Sequence, residues 1–325
     1  PNPMVGCVIV YKNRIIGEGF HRSHGGPHAE VHAVGQVREK ELLQHSTVYV
    51  SLEPCAHQGL TPPCAELLVH HSVRRVVICN TDPNPRVSGR GIEILQKSGF
   101  EVKTDLLKNQ GRLLNRRFFT YHEKKRPYII LKWARTSDGF IARKDYSSKW
   151  ISNAWSRKLV HKWRAEEDAI LVGRQTAFSD NPSLTVRNWE GKNPLRLVID
   201  PKLKLPQSLR LFDDARPTVC YNYMRSSQEG RTTYIKCSEA DFLSDMLKDL
   251  YQRSVLSVLV EGGSKTLQRF INADLWDEAR VFTSDALFEE GVIAPVLRDA
   301  ILVNKEHIMG DQLQIYRHDR GDQNK

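Results

Sequence analysis

Six cysteines in 325 residues are too few and too scattered to make a disulfide framework. Cys7, Cys79 and Cys220 sit in apolar runs and read as buried thiols. Cys237 follows a short strand-like segment and has no evident role. Such usage suits a reducing cytosol, and a cytoplasmic protein is expected. No apolar run approaches the roughly 20 residues of a membrane span, so no membrane partner is expected. No secretory signal is visible. The chain starts Pro1-Asn2-Pro3, and the lack of an initiator Met leaves room for residues upstream. There is no basic tail or stripe either. The net charge of +10 divides into +5 over residues 1–122 and +5 over the rest. Nucleic-acid binders usually gather such charge on one face, so nucleic acid is not an expected partner. A dispersed surplus suits phosphorylated small molecules instead. No Gly-x-Gly-x-x-Gly follows the first strand, which argues against a Rossmann dinucleotide site.

The stretch that is present and informative is His28-Ala29-Glu30, answered by Pro54-Cys55 and Cys64. One histidine and two cysteines can hold a zinc ion and leave its fourth position open, as catalytic sites do. Glu30 is poorly suited as a fourth ligand, but it is well placed to move protons beside a zinc-bound water. His-x-Glu with Pro-Cys is the pattern of zinc-dependent base deaminases, where the glutamate is acid and base rather than ligand. The usual closing Cys-x-x-Cys is missing, since Cys64 stands nine positions after Cys55.

Residues 5–11 and 14–20 read as a hairpin about Lys12-Asn13. A helix is predicted from His28 to about Leu43. It is followed by a strand at 47–52, a helix at 64–71, a strand at 73–80, a helix at 91–98 and a strand at 101–105. This alternation argues for helices on both faces of a sheet. A further helix is predicted over 106–121, and a charged segment at 122–126 marks a boundary before Pro127. The second half alternates again, with strands predicted at 128–134, 169–173, 195–200, 218–221, 232–236, 257–260, 279–283 and 313–316. Helices are predicted at 153–166 and 264–271. Gly262-Gly263 before the helix at Ser264 is a weak phosphate-binding arrangement.

The spacing of His28, Glu30, Cys55 and Cys64, with Pro1-Asn2-Pro3, Val5–Val10, Asp82-Pro83-Asn84-Pro85 and Gly89-Arg90-Gly91, resembles the deaminase half of the bifunctional riboflavin-biosynthesis deaminase–reductases. The second half resembles their reductase. The matching stretches are Leu131–Ala134, Ser137-Asp138-Gly139, Ser148–Ser152, Gly173–Thr176, Asp180–Arg187 and Val260–Gly263. The resemblance implies a cytidine-deaminase-like α/β/α sandwich over 1–122 and a dihydrofolate-reductase-like α/β domain over 123–325. It implies zinc, NADPH, phosphorylated pyrimidine substrates and a homo-oligomer.

Carried over by position, His28, Cys55 and Cys64 would hold zinc, and Glu30 would be catalytic. Asn2, His57 and Asn84 would contact the deaminase substrate. Ala134, Trp150, Thr176, Asp180 and Gly263 would line the cofactor. Ser148, Arg164, Leu184, Arg187 and Glu261 would line the reductase substrate. The forked guanidinium groups of Arg164 and Arg187 suit a ribose phosphate. For each arginine, the residues alone allow a plain surface charge, and Trp150 could equally be core. Two departures stand out. Leu60 occupies the place of a usual basic residue, and the helix that usually precedes Pro-Asn-Pro is absent. Rival readings are a reductase with an impaired deaminase, a nucleic-acid base deaminase and a non-enzymatic zinc protein that binds a nucleotide.

Overall fold

The computed structural model describes residues 3–56, 62–85, 87–146 and 150–321. The chain separates into two compact units, Pro1–Lys125 and Arg126–Lys325.

In the first unit, β1 (Gly6–Tyr11) and β2 (Arg14–Phe20) form an antiparallel hairpin. Lys12 (φ 45°) and Asn13 (φ 60°) both take left-handed backbone, which matches a two-residue primed turn to the twist of the strands. Helix α1 (Ala29–Gln36) packs on β2. It approaches closely because Gly17 and Gly19 lack side chains. A Cβ on them would lie 2.3 Å from the Ala33 carbonyl oxygen and 2.5 Å from that of Ala29. The helix ends seven residues before the predicted Leu43. Val37 turns its buried side chain into the core and adopts extended backbone (φ −67°, ψ 115°). Lys40 Nζ donates to the Val34 carbonyl at 2.5 Å, which also accepts from the capping Val37 N–H at 3.2 Å.

A 3-10 turn (Lys40–His45) leads to β3 (Thr47–Val50). Then come α2 (Cys64–His70), β4 (Arg75–Ile78), α3 (Arg90–Lys97) and β5 (Glu101–Lys103). The sheet order is β2-β1-β3-β4-β5, parallel across β3, β4 and β5. Its core includes Ile9, Ala33, Val48, Leu68, Val76 and Leu95. The helix predicted over 106–121 is two helices, α4 (Lys108–Leu114) and α5 (Arg116–Lys124). The break falls at Asn115, whose amide accepts from Met4 N–H at 2.7 Å and donates to the Met4 carbonyl at 3.0 Å. A tertiary anchor therefore overrides local helix propensity there.

The second unit opens with β6 (Tyr128–Arg135), β7 (Phe140–Ala142), α6 (Ala154–Glu166), β8 (Ala169–Gly173) and α7 (Arg174–Asp180). The Asn153 carboxamide caps α6 by accepting from the Trp155 and Ser156 amides. Strands β9 (Leu195–Ile199), β10 (Thr218–Asn222), β11 (Ser227–Glu229) and β12 (Thr232–Lys236) follow. The rest is α8 (Phe242–Gln252), β13 (Ser257–Val260), α9 (Ser264–Asn272), β14 (Glu278–Thr283), β15 (Val292–Ile293), β16 (Ala300–Ile308) and β17 (Asp311–His318). The ten-stranded sheet runs β11-β12-β10-β9-β8-β13-β6-β14-β17-β16 and is parallel from β12 to β14.

Both faces of this sheet are covered. Ile129 and Leu131 of β6 join one core cluster, and Tyr128 and Ile130 join another. That is why β6, β8 and β13 read as continuous apolar runs without alternation. At the start of the unit, Arg126 makes a bidentate pair with Asp277 at 2.6 and 2.9 Å, and Asp277 also accepts from Ile129 N–H. Cys220 and Cys237 are buried, as is Cys7 in the first unit. Cys79 is only half-buried, because its sulfur faces the Leu107 carbonyl beside α4 instead of the sheet core. No helix among the described residues is long and apolar enough to cross a membrane.

Candidate active site

Three elements meet at the first site. His28 caps α1 in extended conformation, Cys55 lies on the turn after β3, and Cys64 is the first residue of α2. Pro27 and Pro63 stand just ahead of these helices, where a fixed φ and a missing N–H cost no helical hydrogen bond. His28 Nδ1 stands 3.2 Å from Cys64 Sγ and 3.4 Å from Cys55 Sγ. All three candidate ligand atoms lie within 4.8 Å of one another. Tetrahedral zinc with its usual bond lengths needs N···S separations of about 3.5 Å. The donor set and its spacing therefore fit that ion.

Charge points the same way. The Cys64 thiol donates toward Cys55, which, with His28 nearby, pushes the Cys55 thiol down to about 4. That same bond, followed by burial, holds Cys64 well up. A cation bound between them would turn both into thiolates. Glu30, in the first turn of α1, is 3% exposed. Burial above all, with the Cys55 charge adding to it, pushes its carboxyl up to about 7. A carboxyl at that value can both take and give a proton near neutrality.

Asn84 lies in the loop between β4 and α3. Its amide N–H donates to Asp82 Oδ1 at 2.7 Å, and its carbonyl accepts from Val87 and Ser88. Asn2, His57 and Leu60 fall outside the described residues, so the structure does not place them beside His28.

In the second unit, Arg164 of α6 and Glu261 at the end of β13 form a bidentate pair, Nε to Oε1 at 2.7 Å and Nη2 to Oε2 at 2.6 Å. Arg164 Nη1 donates to the Thr185 carbonyl. The fork expected to grip a phosphate thus faces a carboxylate of the chain itself. Burial pushes the Glu261 carboxyl up, but Arg164, then Lys132 and His161, carry it below its ordinary value. Lys132 of β6 is pushed down by burial and by Arg164, while Glu261 opposes this.

His161 is pushed down by burial, Arg164 and Arg187, and its Nδ1 accepts from Arg187 N–H at 3.2 Å. Lys132 and His161 were not singled out in the sequence. The signals were a lysine inside the apolar run of β6 and a histidine one helical turn before Arg164. Leu184 is buried in the core at 1% exposure, packed in an apolar cluster with Ile170, Val172 and Ala177.

Thr176 lies on α7. A Cβ on Gly263, the cap of α9, would meet Thr176 Oγ1 at 3.1 Å, so the two residues stand close together. Asp180 ends α7, and burial raises its carboxyl. Ala134 is near the end of β6. Trp150 is 72% exposed with Arg157 4.8 Å from its ring, so it is a surface residue and not core. Ser148 lies outside the described residues.

Fold and site together define a class: a zinc-deaminase-type unit joined to a dihydrofolate-reductase-like unit in one bifunctional enzyme. Residues 1–80 match the cytidine and deoxycytidylate deaminase zinc-binding region, and residues 127–288 match the RibD C-terminal domain. The chain belongs to the RibD family of bifunctional riboflavin-biosynthesis deaminase–reductases. The riboflavin biosynthesis protein RibD of Aquifex aeolicus is 38% identical over 97% of this chain and 92% of its own length. That of Escherichia coli is 35% identical over 88% and 83%. Among solved structures, the Thermotoga maritima diaminohydroxyphosphoribosylaminopyrimidine deaminase/5-amino-6-(5-phosphoribosylamino)uracil reductase superposes with a TM-score of 0.87 at 37% identity, covering 98% of this chain and 93% of that one. Acinetobacter baumannii RibD gives 0.88 at 32% identity, covering 98% and 92%.

Proposed function

We propose that residues 1–122 deaminate 2,5-diamino-6-(5-phosphoribosylamino)pyrimidin-4(3H)-one. Residues 123–325 then reduce the ribosyl group of the product, 5-amino-6-(5-phosphoribosylamino)uracil, to ribityl with NADPH. The observation that carries the reading is the convergence of His28, Cys55 and Cys64 with a buried Glu30 beside them. Those three side chains would hold zinc, which would lower the pKa of the attacking water. Glu30 takes a proton from the attacking water and gives it to the ring nitrogen; it then takes the remaining hydroxyl proton as the new carbonyl forms and passes it to the departing amine, which leaves as ammonia. Asn84, with Asn2 and His57, contacts the substrate.

In the second unit, NADPH supplies a hydride to ribose C1′. The C1′–O4′ bond breaks and O4′ takes a proton, which opens the sugar. Ala134, Trp150, Thr176, Asp180 and Gly263 line the cofactor. Arg187 carries the phosphate contact. Ser148, Arg164, Leu184 and Glu261 line the rest, with Arg164 held against Glu261. The protein acts as a cytoplasmic homo-oligomer, which sedimentation of the purified chain would check.

The test follows ammonia release and NADPH oxidation together on the diaminopyrimidinone ribose phosphate, with zinc content measured. Both activities are expected. NADPH oxidation on pre-deaminated substrate alone would favour a weakened deaminase, with Leu60 as the first suspect. Neither activity from a zinc-loaded protein would overturn the reading.

A further inference from the structure

Glu53 immediately precedes the Pro54-Cys55 turn and has no part in the chemistry above. Its carboxylate is 4% exposed. Four main-chain amides from one distant segment converge on it. Asp82 N–H and Gly89 N–H reach Oε2 at 3.2 and 3.0 Å, while Gly91 N–H and Ile92 N–H reach Oε1 at 2.9 and 3.4 Å. Three of these amides belong to the start of α3, whose capping residue Gly89 has no side chain to offer. The negative charge therefore sits where a helix presents free N–H groups and a favourable dipole.

The same contact is closed from the other side by shape. A Cβ on Gly91 would lie 2.0 Å from the Pro54 carbonyl oxygen. Only a glycine lets α3 sit directly on the residue before Cys55. Main-chain bonding continues the seam, with Glu53 N–H donating to the Asn80 carbonyl at 2.9 Å.

We infer that Glu53 is a positioning residue, the clamp that fixes the Cys55-bearing turn against the loop carrying Asp82 and Asn84. The inference rests on the deaminase reading of the first unit and deepens it. Cys55 belongs to the candidate metal set, and Asn84 stands in a loop whose shape Asp82 sets by accepting from Asn84 N–H. The two sit on different elements, one after β3 and one after β4. Sheet pairing between β3 and β4 fixes the strands but not the turns beyond their ends. The clamp spans that gap and so holds the substrate-contacting loop in register with the reacting centre. A carboxylate is needed because both of its oxygens accept. A glutamine would turn an NH2 donor toward two N–H donors and leave them unpaired in a dry place.

The test uses two variants of the full chain that attack opposite sides of the clamp, Glu53→Gln and Gly91→Ala. Three quantities would be read: bound zinc per chain, kcat and KM for ammonia release per bound zinc, and amide hydrogen exchange over residues 82–92. NADPH oxidation on deaminated substrate reports that the chain is otherwise intact. In both variants, exchange should rise over 82–92 and KM should rise by about tenfold or more, since small misplacements of positioning groups are costly. The kcat per bound zinc should stay within about threefold, as expected for a lost contact shared by ground and transition states. Raised exchange with KM unchanged in both variants would reduce Glu53 to a helix cap and overturn the inference. Unchanged exchange would show that no clamp exists. If the unaltered protein released no ammonia, the deaminase reading itself would fall, and the exchange arm would still decide whether the two segments are clamped.

Discussion

Glu30 has the Cys64 thiol, the Cys55 sulfur and the His28 imidazole for neighbours, and burial holds its carboxyl at about 7. Glu30→Gln keeps the shape and removes the proposed proton transfer. Ammonia release should fall by about 10²–10⁴-fold with zinc content unchanged, which a paired metal and ammonia assay would check. Arg164 and Glu261 are a different case, a buried pair whose side chains are 12% and 9% exposed. Glu261→Gln would strand the guanidinium, and the second unit should lose about 3–5 kcal/mol in denaturant unfolding.

His161 couples the stability of the second unit to pH. Its neutral Nδ1 accepts from Arg187 N–H, and Arg164 and Arg187 oppose its protonation while Glu261 favours it. Its value when folded lies below the ordinary 6.5, so the unfolded chain takes a proton first as pH falls. Stability of the second unit should therefore decline as pH drops below 6.5. Melting curves of the protein and of His161→Gln, compared between neutral and mildly acid pH, would show a flatter profile in the variant.

Helix α1 carries both His28 and Glu30, so its seat on β2 sets the geometry of the first site. Gly17→Ala would push a methyl to 2.3 Å from the Ala33 carbonyl. The helix should shift, with about 1–3 kcal/mol lost and weaker zinc retention, measurable by competition with a chelator.

The elements that position the sites were legible where pattern is local. The hairpin about Lys12-Asn13, the strands β8 and β13 and the capped helix α6 all carry their signals within ten residues or so. Helix α8 also had one, with Phe242, Met246, Leu247 and Leu250 on a single face, and it went unread. Strand β16 opens on the apolar run Ala300–Val303, which also went unread; it is an edge strand exposed along nearly its whole length, so no alternation marks it. The early end of α1 and the break at Asn115 depend on partners far away in sequence. The cluster of His28, Glu30, Cys55 and Cys64 was readable because chemistry restricts which residue types can serve. The Arg164–Glu261 pair was not, since its members stand 97 positions apart and either would pass for a surface charge.

The molecule as a whole is two compact units with separate chemistry. Stripping zinc with a chelator should abolish ammonia release while leaving NADPH oxidation on deaminated substrate within about twofold, because the candidate ligands His28, Cys55 and Cys64 lie in the first unit. The order of strands in the second sheet reaches further. Strand β6 is the first of that unit to be synthesised, yet its neighbours are β13 and β14. Its register partners begin at Ser257 and Glu278, more than a hundred residues later. On the ribosome, the first unit can close while the chain is still growing. The centre of the second must wait until almost the whole polypeptide has emerged, with apolar residues such as Ile129, Ile130 and Leu131 uncovered in the meantime. A premature stop between Arg126 and Ser257 would thus release a finished deaminase unit tethered to an unfinished, aggregation-prone one.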